Sequence, residues 1–184
     1  MSNIKLNPQE LDFIQSRDIK KFRPLFRGLE DEFGTDHYDA ILEWCNILDK
    51  TVYFFWEIYL IRINKKVVGK CGLYSITNND ITEMWIGWFG IIEKYRRLGI
   101  GKKALEMMEE IAIVHGSKRL MVYTAKDNKA AQAFYLKNGC VRKCKEWNTK
   151  RFIKSRIKGY PEVGDHFDLE TDIIFKKNLR KPKR

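Results

Sequence analysis

The residues best placed to do chemistry lie in Ile91-Ile-Glu-Lys-Tyr-Arg-Arg-Leu-Gly-Ile-Gly-Lys-Lys-Ala104. An apolar and aromatic run, Met84 to Ile92, ends there in a charged turn that delivers Gly99 and Gly101 to the mouth of an amphipathic segment. The first N–H groups of a helix have no intrahelical partner, and glycines let a ligand approach them closely. Lys102 and Lys103 add charge at the positive end of the helix dipole. Such a site suits a diphosphate, held by the stretch Arg96, Arg97, Leu98, Gly99, Ile100, Gly101 and Lys102.

Two common phosphate motifs fit poorly. A nucleotide phosphate loop needs a glycine five positions before its Gly-Lys-Ser/Thr, but Arg96 stands there and Lys103 follows Lys102. Gly99-Ile-Gly101-Lys-Lys-Ala104 matches G-x-G-x-x-A, yet the strand ends near Ile92, and Leu120-Met-Val-Tyr-Thr124 carries no acid for a ribose.

The segment resembles motif A of the GNAT superfamily of N-acetyltransferases, Arg/Gln-x-x-Gly-x-Gly/Ala, here Arg96-Arg-Leu-Gly99-Ile-Gly101. A second match follows in Asn128-Lys-Ala-Ala131-Gln-Ala-Phe134-Tyr135-Leu-Lys-Asn-Gly139-Cys140, similar to the family's motif B, with Cys140 where an aromatic is usual. Tyr59 to Leu73 looks like the family's central hairpin and Asp172 to Leu179 like its closing strand, so the resemblance covers roughly residues 55 to 180. It implies a mixed, mostly antiparallel α/β sheet of six to seven strands, with helices on both faces. It also implies acetyl-CoA as co-substrate and an amine as acceptor.

The site residues that the resemblance implies are specific. Ile91 would meet the pantetheine arm and donate its N–H to the thioester oxygen. Asn128, Ala131 and Phe134 would contact the cofactor, Asn128 also capping its helix. Tyr135 matches the general acid that protonates the departing thiolate. Family members with a carboxylate base often carry it six residues before the Ile91 position, where this chain has Trp85. Glu83, two residues earlier, is the candidate base, beside a water chain or an acceptor arriving neutral. An alkylamine of pKa near 10.4 must lose a proton, which costs about 4.6 kcal/mol at pH 7. Trp85 and Trp88 are candidates to line the acceptor pocket, or else core.

The elements that must position these groups follow from pattern. Residues 8 to 50 read as helices, started by Asn7-Pro8 and broken near Pro24 and Gly34. Strands are expected over 51–64, turning at Asn64-Lys-Lys66, then over 67–75 and 84–92. A helix follows over 101–115 with Ala104, Leu105, Met108, Ile111 and Ala112 inward, then a strand over 120–124 and a helix from the Asn128 cap to Asn138. Residues 141–147 and 171–175 should pair as the last strands. The whole is expected to be one domain of 184 residues: a helical acceptor side over 1–50, a cofactor core over 51–147, and a basic loop, last strand and tail over 148–184.

Composition constrains partners. No apolar run is long enough to span a membrane, the start Met1-Ser-Asn-Ile-Lys is not a signal peptide, and the four cysteines lack disulfide or zinc spacing. A cytoplasmic chain with reduced thiols and no metal is expected. The net charge of +11 suits an anionic cofactor, and its late concentration leaves nucleic-acid or ribosome contact open. Against this balance, Leu29 to Asp49 holds seven acids, Asp31 and Glu32 among them, and no lysine or arginine. An acidic wall there would suit a cationic acceptor; a solvated helix face is the alternative. The function expected is therefore direct acetyl transfer to a primary amine, on a small cationic molecule or a protein. A silent acyl-CoA-sensing module and an enzyme acting on a ribosomal or nucleic-acid-bound protein are the rivals, and a homodimer is compatible.

Overall fold

A computed structural model of the chain describes residues 11–16, Pro24, Leu29, Phe33, 56–75, 82–143 and 171–179. Its frame is a seven-stranded sheet in the order β1-β2-β3-β4-β5-β7-β6. The strands are β1 Leu11–Ser16, β2 Trp56–Ile63, β3 Lys66–Tyr74, β4 Glu83–Ile91, β5 Arg119–Ala125, β6 Val141–Arg142 and β7 Asp172–Asn178. Helix α1 (Ile100–Val114) leads into β5, and α2 (Lys129–Lys137) follows it. Every neighbouring pair is antiparallel except β4 and β5, which run parallel around the α1 crossover.

Local chemistry accounts for most elements. Asn64 and Lys65 both have positive φ, 50° and 65°, so β2 and β3 are joined by the mirror-image two-residue turn that matches strand twist. Gly99 at φ 81° opens α1, and Gly116 at φ 88° follows it. The Asn128 side chain caps α2, accepting from the Ala131 N–H at 3.0 Å. Asn128→Ala is expected to cost about 1 kcal/mol of stability, read from a denaturation midpoint; an unchanged midpoint would show that the cap carries nothing.

The sheet has two differently covered faces. On one, Ile100, Ala104, Leu105, Met108 and Ala112 of α1 pack on Met84, Ile86, Leu120 and Val122, with Tyr135 and Phe175 in the same cluster. Lys177 of β7 pairs with Glu109 of α1 across this face. On the other, the Phe33 ring lies against Gly90, where an added Cβ would be 2.5 Å from Phe33 Cε1. Pro24, Leu29 and Phe33 are helical.

One expectation is overturned. Residues 11–16, read as helix, form β1 and pair antiparallel with β2 in the register Leu11↔Ile63 to Ser16↔Ile58. Leu-Asp-Phe-Ile-Gln-Ser satisfies either periodicity over six residues, and pairing with a strand some fifty positions away decides it. The expected strand over 141–147 is seen as Val141–Arg142, pairing with β7 through Val141↔Lys176; residues 144–150 lie outside the described residues, as do 51–55 and the loop 77–80.

Candidate active site

The parallel pairing of β4 and β5 is short. It runs from Glu83↔Arg119 to Ile86↔Val122 and then stops. Beyond it, Gly87 to Ile91 keep β3 as their partner strand, while Tyr123 to Ala125 pair with β7. The two strands therefore part, leaving main-chain groups on facing edges without a ladder partner among the described residues. An extended, amide-bearing ligand could satisfy them by adding to the edge of β4.

A bulge sets this edge. Cys71 alone stands on β3 between the pairs Lys70↔Gly90 and Gly72↔Gly87, whereas β4 has both Trp88 and Phe89 there. Trp88 sits at φ 50°, a conformation rare for a bulky side chain and affordable only where the surroundings over-determine it. The extra residue reverses the side-chain alternation. The Trp88 ring stays on the Phe33 face, within 6.2 Å of the Tyr74 ring, and the Cβ position of Gly72 is 2.8 Å from its Cε3. Phe89 turns to the α1/α2 face, edge-on to Phe134 at 5.8 Å.

The end of β4 leads directly to the turn expected to bind phosphate. Arg96 Nε donates to the Ile91 carbonyl at 2.8 Å, tying the turn to the strand. Arg97 at φ 60° and Gly99 at φ 81° then swing the chain into α1. The first bond of the helix runs from Lys103 N–H to the Gly99 carbonyl at 3.0 Å. The N–H groups of Ile100, Gly101 and Lys102 are thus left toward the helix mouth, with no acid in the first turn to occupy them. Arg97, Leu98 and Gly99 are exposed, and nothing lies within 4 Å of the Cβ position at Gly99, so the mouth is open. Gly101 is the close approach: its Cβ position is 3.3 Å from Phe134, which brings α2 beside α1. This arrangement fits a diphosphate continued by an extended arm along β4.

Tyr135 reaches the same region from α2. It is 5% exposed, with its ring 5.3 Å from Phe134 and 5.8 Å from Phe175. Burial pushes its hydroxyl well above the ordinary tyrosine range, with Cys140 and Cys71 adding to the effect, so the proton stays on at neutral pH. Ala131 and Phe134 border the same side, both half-buried, and Asn128 is exposed at the α2 cap.

Other expected residues fall elsewhere. Glu83 is 1% exposed at the start of β4, where the strands are still paired, and eight residues along a strand put it roughly 26 Å from Ile91. Its Oε1 accepts from the Trp85 indole at 3.2 Å, and Oε2 faces Arg119 Nε at 3.7 Å. The structure places the expected carboxylate base in a buried ion pair, alongside the paired part of β4 and β5. Trp85 is equally buried beside it. Asp31 and Glu32 lie outside the described residues, as do Cys45, Cys144 and most of the basic loop. Cys71 and Cys140 are free, buried thiols; burial raises the Cys140 thiol to about 11 and the Cys71 thiol further. No metal-binding cluster and no helix long and apolar enough to cross a membrane occurs among the described residues.

Pattern reading missed the bulge at Trp88 and the inward Lys70, which is 2% exposed. A signal for the second was present: a lysine inside the apolar strand Val67-Val-Gly-Lys-Cys-Gly-Leu73.

The fold is that of an acyltransferase. The chain belongs to the acetyltransferase (GNAT) family, whose family model matches residues 19–140. Solved structures agree on the fold. A GNAT-family protein from Desulfovibrio desulfuricans superposes with a TM-score of 0.62 at 11% identity, covering 92% of this chain and 99% of its own. The IAA acetyltransferase of Bacillus cereus gives 0.60 at 18% identity, with coverage of 92% and 99%. A GNAT family acetyltransferase from Elizabethkingia anophelis, with acetyl-CoA bound, gives 0.53 at 16% identity and the same 92% and 99% coverage. No curated protein matches the chain in sequence.

Proposed function

We propose that this acyltransferase moves an acetyl group from acetyl-CoA directly to a primary amine. The observation that carries the reading is the parting of β4 and β5 after Ile86↔Val122, with the N-terminus of α1 at its mouth. In this reading the backbone from Arg96 to Lys102 holds the pyrophosphate, and the pantetheine arm lies along Gly87 to Ile91. Ile91 or its bulged neighbours donate an N–H to the thioester oxygen, where one such donor contributes about 3 kcal/mol to the transition state. Asn128, Ala131 and Phe134 flank the arm, and Tyr135 returns a proton to the thiolate. Free, buried Cys71 and Cys140 with raised pKa values are poor nucleophiles, which favours direct transfer over an acyl-cysteine.

The test is release of the CoA thiol from acetyl-CoA against spermidine, aminoglycosides, lysine peptides and peptides with free N-termini. Turnover on one class establishes the reaction and names the acceptor. Tight acetyl-CoA binding without turnover on any amine would favour a sensing module instead.

For the acceptor, the acidic stretch containing Asp31 and Glu32 supports a cationic amine in a chain of net charge +11. Reversing both charges (Asp31→Lys with Glu32→Lys) is expected to raise KM for polycationic acceptors several-fold and leave acetyl-CoA affinity unchanged. An unchanged KM for every amine would remove the acidic wall from the proposal.

A further inference from the structure

An alkylammonium acceptor must lose a proton, and the structure offers a group other than a carboxylate to take it. Lys70 lies in the middle of β3, paired with Leu60 of β2 on one side and Gly90 of β4 on the other. The bulge at Val68, where Ile61↔Gly69 gives way to Arg62↔Val67, shifts the alternation of β3. As a result Val68 and Cys71 belong to the α1/α2 core, while the Lys70 side chain extends across the opposite face. There its Nζ sits 4.6 Å above the Phe33 ring, the same ring that covers Gly90. The residue is 2% exposed, and the contact recorded for its nitrogen is this ring. A lysine so placed gives up much of the hydration of its charge.

We propose that Lys70 is the proton acceptor of the transfer reaction, a buried amine beside the β4 bulge that deprotonates the acceptor's ammonium on the Phe33 face of the sheet. This rests on the acetyltransferase reading above. Trp88 and Phe33 wall the same face, so an amine entering there meets Lys70 next to Gly90, immediately before Ile91. Burial lowers the lysine from its ordinary 10.5 to about 7. Among the described residues, the Cys71 thiol is the ionisable group that bears on it electrostatically; Leu60, Gly72, Trp88, Gly90 and Phe33, on β2, β3, β4 and the helical side, carry no charge.

The proton and electron balance closes. The Lys70 lone pair takes one proton from R–NH3+, and the freed lone pair forms the C–N bond as the carbonyl π pair moves to oxygen. The oxygen pair then returns and the C–S bond breaks. Tyr135 protonates the thiolate and is itself reprotonated by the second proton leaving nitrogen, while Lys70 passes the first to solvent. One amide, one CoA thiol and one proton result.

Lys70→Met and Lys70→Arg test the proposal: the first is apolar and of similar length, the second always charged and unable to accept a proton. Wild-type kcat is expected to rise with pH through about 7 and then level. Both variants should lose at least tenfold in kcat and lose that limb, with acetyl-CoA affinity by calorimetry unchanged. A second readout is independent of turnover. Between about 7 and 10.5 the unfolded lysine binds a proton that the folded one lacks, so wild-type stability rises with pH across that window. Lys70→Met should remove that contribution to the slope and be at least as stable at pH 7. Wild-type turnover retained by Lys70→Met overturns the base and leaves the acetyltransferase standing. Activity retained by Lys70→Arg alone overturns it in favour of a fixed positive charge that recognises an anionic group. No turnover by the wild type on any amine, with acetyl-CoA bound, overturns both.

Discussion

Tyr135→Phe is expected to lower kcat at least tenfold while leaving the acetyl-CoA dissociation constant unchanged. The phenol is buried between Phe134 and Phe175, and burial holds its proton well above the ordinary range. A group that never ionises at working pH cannot serve as a base, but it can supply a proton to a thiolate and recover it in the same turnover. Phenylalanine keeps the ring contacts and removes only the hydroxyl, so stability should change little. The pH profile distinguishes this residue from Lys70. Loss of Tyr135 lowers the plateau without moving the limb near 7, whereas loss of Lys70 removes the limb. Steady-state kinetics with calorimetric acetyl-CoA binding read all three quantities, and equal kcat in the variant would assign Tyr135 to packing.

Gly69→Ala is expected to weaken acetyl-CoA binding at least tenfold and to cost about 1–3 kcal/mol of stability, the range for forcing an extra carbon into a filled core. Gly69 faces Ile91 across the β3–β4 ladder. An added Cβ would collide with the Gly90 carbonyl oxygen and come within 2.7 Å of Ile91 Cδ1. A carbonyl oxygen in a central strand cannot swing away as a side-chain tip can, so β4 itself must move at the residues proposed to carry the pantetheine arm. Gly101→Ala is the internal comparison. Its Cβ would lie 3.3 Å from a Phe134 ring carbon, a contact relieved by a small ring shift. Calorimetry of acetyl-CoA binding on folded samples of both variants reads the difference. Wild-type affinity in Gly69→Ala would mean that the arm does not depend on the position of β4 at Ile91.

Much of this was legible in the chain because it is local. Gly99 must turn the backbone at φ 81°, Asn128 must cap α2, and Asn64-Lys65 must close a tight hairpin; each acts within four residues of itself. Those local rules, with two motifs in order, determined the elements from β2 to α2, the glycine turn at the mouth of α1 and membership of the acyltransferase class. What escaped depends on contacts distant in sequence. Residues 11–16 become a strand because β2 offers them an edge. Trp88 takes a positive φ because the pairs on either side of Cys71 leave one residue too many on β4. Glu83 is drawn to Arg119 and Trp85 at the closed end of the strand pair, a placement set by the register of β4 against β5. Lys70 faces inward because a bulge at Val68 reverses the alternation of β3, and a one-residue shift exchanges the two faces of every residue that follows. The chain by itself thus determined the parts and the ligand chemistry they suit. The tertiary structure decided where Glu83 and Lys70 are placed, because strand register and bulges are settled by pairing partners and not by the residues' own preferences.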